Sequence, residues 1–159
     1  MFSHVFVGAD DVAASKKFYD AVLGAIGVPE GKTDPRGRVF YRTSAGMFGL
    51  TKPIDGKGAT HANGGTIGFA CDSLEKAKAF HDAGVANGGK SIEDPPGWRE
   101  GAAGKLYLAY LRDPYGNKIC ALHRSRMLAG CPIAKSRGNG RRMVECGALA
   151  HQRALSTEE

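Results

Sequence analysis

HVFVGADDVAASKKFYDAVLGAIG (residues 4–27), laid over TIGFACDSLEKAKAFHDAGVANGG (residues 66–89), shows an internal repeat with a constant offset of 62. Asp10 meets Asp72, Lys16 meets Lys78, Phe18 meets Phe80, Asp20 meets Asp82 and Ala21 meets Ala83. The physical pattern repeats even where letters differ: an apolar strand, a capping residue, an amphipathic helix and a glycine stop. Asp10 or Asp11 in one copy, and Asp72 or Ser73 in the other, can accept hydrogen bonds from the unpaired N–H groups of a first helical turn. Val12, Phe18, Val22 and Leu23 form one apolar stripe, and Leu74, Ala77, Phe80 and Val85 the other. Gly24 and Gly27, and Gly88 with Gly89, can end the helices.

Strand signals follow each helix. RVFYRT (38–43) and MFGLTK (47–52) flank the turn residues Ser44, Ala45 and Gly46, and a weak strand near 28–33 precedes them. KSIED (90–94), KLYLAYLR (105–112) and KICALH (118–123) follow the second helix, the last two joined by the Asp113-Pro114-Tyr115-Gly116-Asn117 turn. Both halves therefore read βαβββ, an α+β domain over residues 1–123 with modules at about 1–52 and 65–123. The turn-rich segment 53–64 reads as the linker. DPPGWREGAAG (94–104) reads as a loop, with Trp98, Arg99 and the neighbouring Tyr107 as a candidate pocket rim.

The 159 residues are 42% hydrophobic and 24% charged, an ordinary globular mix. No apolar run approaches the roughly 20 residues of a membrane span. The N-terminal MFSHVFVGADD has no basic stretch and does not read as a secretory signal, so a soluble cytoplasmic protein is expected. Of the formal charge of +6, residues 124–159 carry most, with seven Lys and Arg against three Glu. Residues 1–123 are left near +2 and give no hint of a highly charged ligand. The basic segment lacks a sustained period and reads as a poorly ordered tail. Cys71, Cys120, Cys131 and Cys146 form no CxxC pair, and structural disulfides are not expected in a reducing compartment. Gly64–Gly68 lacks the lysine and hydroxyl of a phosphate loop.

Three segments, taken in order, resemble the vicinal oxygen chelate superfamily of glyoxalases, bleomycin-resistance proteins and extradiol dioxygenases. They are His4 with DDVAASKKFYDAVLGAIGV, then GGTIGFACDS, then YLRDPYGNKICAL, together spanning residues 2–123. The resemblance implies two modules paired edge to edge, so that eight strands curl into a cup around a small molecule. It implies metal ligands on the first and last strands of each module, where a metal acts as a Lewis acid on vicinal oxygens. His4 matches a ligand position. Its counterpart in the second module is Thr66, and Cys120 stands where the family pattern has Glu. The fourth-strand counterpart is placed near Leu50, from matching Arg42 with Arg112 and Gly46 with Gly116, with Phe48 beside it as a pocket residue.

A divalent metal is therefore expected to have an incomplete ligand set, since one imidazole does not hold an ion that three protein ligands usually hold. Without a metal, little positive charge is expected in the cup to stabilise an enediolate. The readings are a glyoxalase-like lyase or isomerase on a small oxygenated metabolite, with His4 and Cys120 as candidate catalytic groups, or a non-catalytic small-molecule-binding protein. A homodimer is expected, and no membrane partner. Nucleic-acid binding through the basic tail is the weakest reading; under it, truncation after His123 abolishes nucleic-acid affinity, and unchanged affinity in a filter-binding assay eliminates it.

Overall fold

A computed structural model describes residues 2–101 and 104–124. The proposed tail at 124–159 lies outside the described residues except for Arg124. Module 1 contains β1 (His4–Gly8), α1 (Val12–Ala25), β2 (Lys32–Thr33), β3 (Val39–Thr43) and β4 (Gly46–Thr51). Module 2 contains β5 (Ile67–Ala70), α2 (Leu74–Ala86), β6 (Lys90–Ser91), β7 (Gly97–Gly101), β8 (Gly104–Arg112) and β9 (Lys118–Arg124). The α+β reading and the two repeats hold.

The helix starts are set by equivalent caps. Asp11 Oδ1 accepts from the Ala14 N–H at 2.9 Å, and Ser73 Oγ accepts from Lys76 N–H at 3.2 Å. Asp10 is engaged elsewhere, holding the Ala59 N–H at 2.6 Å. Gly27 and Gly88 follow the two C-caps with φ of +90° and +92°, the left-handed region that a side chain disfavours.

The strands form two sheets, ordered β1-β4-β3-β2 and β5-β9-β8-β6, with β7 also paired to β8. Each module contributes its own sheet to the expected two-module architecture, and module 2 carries β7 in addition to the four expected strands. Helices α1 and α2 pack on each other, α1 against β4 and α2 against β8 and β9. The helix-covered sheet faces therefore share one core, and β1 and β5 are sheet edges not bonded to each other. Phe48 of β4 meets Phe69 of β5 edge-on at 5.4 Å, with Tyr19 against Phe48 at 4.7 Å. At Gly84 an added Cβ would lie 2.3 Å from Leu111 and 3.2 Å from Val22, so glycine permits the close helix approach.

A correction concerns 94–104. Trp98 and Arg99 belong to β7, in register with Tyr107 and Leu106 of β8. Pro95, Pro96 and Gly97 mask the strand in the sequence; its backbone partners are supplied by β8, an interaction remote from local propensity.

The Asp113 turn fastens the modules. Buried Asp113 accepts from the Tyr19 hydroxyl of α1 at 2.8 Å, from Asn117 Nδ2 at 2.8 Å, and from the backbone N–H groups of Tyr115 and Asn117. Burial, followed by the neighbouring carboxylate, raises the Tyr19 pKa well above its ordinary value, so the hydroxyl stays a donor. Tyr19→Phe is expected to lower unfolding free energy by about 1–2 kcal/mol in urea titration, and Asp113→Ala by about 3 kcal/mol because it strands several donors. Ser15 is the opposite case: its Oγ is buried without a partner, and its repeat equivalent is Ala77, also buried. Ser15→Ala is expected to raise stability by about 1 kcal/mol by the same measurement.

Candidate functional site

In register, paired residues on neighbouring strands present side chains to the same face. Val5, Val7, Val39, Tyr41, Phe48 and Leu50 face the helices in the first sheet. The opposite face is helix-free and runs in three rows. His4, Met47 and Arg42 make one row; Phe6, Gly49, Phe40 and Lys32 the next; Gly8 and Thr51 the third.

This places the expected site residues on different faces. His4 lies on the helix-free face with Phe6, its ring 5.9 Å from the Phe6 ring. It is exposed, and Ser3 Oγ lies 2.9 Å from its Nδ1, which leaves Nε2 as the nitrogen available to a ligand. Phe48 and Leu50 are buried on the other face, in the core. The fourth-strand counterpart of Cys120 is Gly49, not Leu50. The pairs Arg42↔Met47 and Arg112↔Lys118 show that the first module has one residue fewer between these points, and a slip of one residue exchanges the faces.

In the second sheet, Cys120, Leu122, Leu106, Leu108 and Tyr110 share the helix-free face. Continuing the β5–β9 register one residue before Ile67 sets Thr66 beside Lys118, as His4 sits beside Met47; Thr66 is exposed and precedes the strand. The expected rim divides. Trp98 and Tyr107 stand on the helix-side face, their rings 5.7 Å apart, with His123 6.1 Å from Trp98. Arg99 stands on the opposite face and spends its guanidinium on the Pro95 and Trp98 carbonyls.

The ligand positions implied by the resemblance are therefore His4, Gly49, Thr66 and Cys120. They do not fit a divalent metal. Glycine supplies no donor, and a Cβ at Gly49 would lie 2.4 Å from the Phe6 ring, which occupies the space a ligating side chain would need. Cys120 is buried and its thiol donates to the Ala121 carbonyl at 3.3 Å. Burial, only partly offset by the Ala109 backbone and the Tyr110 hydroxyl, pushes its pKa up, which opposes both thiolate ligation and nucleophilic attack. Among the described residues no cluster of three or more His, Cys, Asp and Glu could hold a metal ion. His81 Nε2 lies 2.9 Å from Ser91 Oγ, but its Nδ1 is 3.7 Å from Asp82, too long to orient the ring as a hydrolase base.

Charge on the helix-free faces differs from the sequence expectation. The strands present Lys32, Arg42, Lys90, Arg99, Arg112, Lys118 and Arg124 there, and no carboxylate. Among the described strands the sole carboxylate, Glu100, shares the Trp98 face. Lys118 is paired with Glu93 from outside the strands. Sequence reading did not single out Gly49, against which the Phe6 ring packs, or Phe40 beside Arg42, and it took 53–64 as the linker.

The model of the Glyoxalase/Bleomycin resistance protein/Dioxygenase superfamily matches residues 1–121. Among solved structures, a glyoxalase/bleomycin resistance protein from Albidiferax ferrireducens T118 is similar at 63% identity and TM-score 0.76, over 78% of this chain and 99% of that one. A glyoxalase/bleomycin resistance protein/dioxygenase family enzyme from Burkholderia phytofirmans PsJN is similar in fold at 18% identity and TM-score 0.57, over 76% and 96%. A lactoylglutathione lyase from Agrobacterium tumefaciens is similar in fold at 22% identity and TM-score 0.55, over 77% and 92%. Comparison with curated proteins finds no match.

The buried, raised thiol of Cys120 makes a direct prediction. Iodoacetamide at neutral pH is expected to label it at least ~10-fold more slowly than free cysteine, with the rate still climbing above pH 9 as thiolate finally forms. Rapid neutral labelling, read by peptide mass spectrometry, restores Cys120 as a candidate nucleophile.

Proposed function

Because the chain belongs to the glyoxalase/bleomycin resistance protein/dioxygenase superfamily, we propose that it binds a small oxygenated metabolite on its helix-free sheet faces without a resident metal, and that sequestration of this ligand is its main activity. The observation that supports this is the set His4, Gly49, Thr66 and Cys120 at the positions where metal-dependent relatives carry ligands. It contains one good donor, and Phe6 fills the place of another. A sequestering protein needs a shaped, charged surface and no Lewis acid, and this chain retains the former.

A lyase-like or isomerase-like reading is favoured by one feature. His4 is exposed on the helix-free face with Nε2 available, and the surrounding cations are what an enediolate would require. Under that reading His4 is the base, and Cys120 contributes packing rather than chemistry.

We further propose that the working unit is a homodimer, because β1 and β5 each leave a strand edge unbonded to the other module, and a second copy can cover them. Reduced cysteines suit a cytoplasmic protein: Cys71 and Cys120 are both free. No helix among the described residues is long and apolar enough to cross a membrane.

Metal content of untagged wild-type protein and of His4→Ala tests this reading. No divalent ion is expected in either, even after incubation with zinc, nickel, manganese or iron(II). A near-stoichiometric ion in wild type that vanishes in His4→Ala overturns the metal-free reading and moves the lyase reading ahead.

A further inference from the structure

A cleft of about 970 Å³ opens at the end of the first sheet where Gly8 pairs with Thr51. Phe6, Thr51, Arg36, Arg38 and Lys52 line it, together with Val7 and Val12 from the helix side. Ile54 is a fully exposed aliphatic side chain poised over this space. The cleft is closed at one end by the segment 53–60, which is pinned where the Ala59 N–H donates to Asp10.

Two properties of this cleft are independent of one another. The first is charge. Arg36 and Lys52 make no ion pair among the described residues, while Arg38 is held by Asp34 through Nε and Nη2 at 2.8 and 2.6 Å. Asp55 is the one carboxylate lining the cleft, and it accepts from the Lys57 backbone N–H. Arg36, Arg38 and Lys52 outnumber it in the lining; Asp10, whose carboxylate lies beside Gly58 and holds the Ala59 N–H, and Asp11 adjoin Lys52 from the other side. The second is an aromatic ring, Phe6, in the lining. The Phe6 ring lies over Gly49, where any Cβ would displace it, and meets Phe40 edge-on at 5.6 Å. Phe40 is flanked by the guanidinium groups of Arg38 and Arg42, each 5.2 Å from its centroid.

Resting on the metal-free binding reading, we propose that the ligand is an aromatic or conjugated carboxylate, its ring against Phe6 and its carboxylate between Arg36 and Lys52. A planar π body gains from offset or edge contact with Phe6 that a puckered ring does not match. A carboxylate recovers charge-assisted hydrogen bonds from Arg36 and Lys52, neither of which is in an ion pair among the described residues. A cationic or neutral ligand would leave those cations unpaired beneath it. Gly49 is a positioning residue in this scheme: it touches no ligand but sets the height of the Phe6 ring.

The test uses the full chain and benzoate as the probe, beside benzamide, cyclohexanecarboxylate and inorganic phosphate, followed by backbone amide NMR shifts. Benzoate is expected to shift the signals of residues 6, 36, 51 and 52 and to bind at least ~10-fold more tightly than each of the other three. Exposed Arg36→Gln combined with Lys52→Gln is expected to remove that preference over benzamide while leaving the rest of the spectrum in place. Gly49→Ala is expected to weaken benzoate while benzoate and cyclohexanecarboxylate converge in affinity. Benzamide equal to benzoate overturns the anionic part, and cyclohexanecarboxylate or phosphate equal to benzoate overturns the aromatic part; shifts at the same residues in either case leave the binding site standing. No shift with any probe at about 10 mM overturns the ligand class, and the metal-free reading is then decided separately by metal content.

Discussion

The buried carboxylate of Asp113 is the constraint on which the arrangement of the two modules depends. It belongs to a turn of module 2, yet one of its four hydrogen-bond donors is Tyr19 on the helix of module 1. The same turn reaches module 1 a second time, where the Tyr115 hydroxyl accepts from the Asp11 backbone N–H at 2.6 Å. A carboxylate is stable in a buried site only when donors surround it, so the turn, α1 and their relative orientation are specified together. With α1 held there, the helix-covered faces of both sheets close on one core. The other faces carry no helix among the described residues.

That division of faces also sorts the charges. The helices and turns keep the acids, as with Asp20 beside Lys16, Asp72 beside Lys76 and Asp34 beside Arg38. Burial alone would raise the Asp20 pKa, but hydrogen bonds from Lys16, the Gly31 backbone and Tyr41 together lower it, so this carboxylate is committed to holding α1 to β3. The strands keep their cations on the helix-free side. A net charge near +2 for residues 1–123 thus conceals strands whose helix-free side carries cations, with Glu93, Asp94 and Asp55 supplied from the loops. In a family whose metal-dependent members use a Lewis acid, fixed guanidinium and ammonium groups supply positive potential where this chain's ligand set does not support an ion.

A one-residue difference between the modules shaped the candidate site more than any substitution did. The hairpin of module 1 joins Thr43 to Gly46 through two residues, whereas Arg112 and Lys118 enclose the five-residue turn. Aligning by turn glycines therefore put Leu50 in the cup. Strand pairing puts Gly49 there and Leu50 in the core. The absence of a side chain at Gly49 is what makes room for the Phe6 ring, so the lost ligand position and the placement of Phe6 are one structural event.

The repeat and both helices with their caps were legible in the sequence because they arise from neighbours a few residues apart. Side-chain capping, the 3.6-residue stripe and strand alternation are local physics. The β7 strand, the splitting of Trp98 from Arg99, the counterpart of Cys120 and the cationic faces were decided by the tertiary structure. Each depends on which strand lies beside which, and in what register. That pairing is settled by backbone hydrogen bonds and core closure between residues far apart in the chain, and a shift of one position turns every side chain to the opposite side.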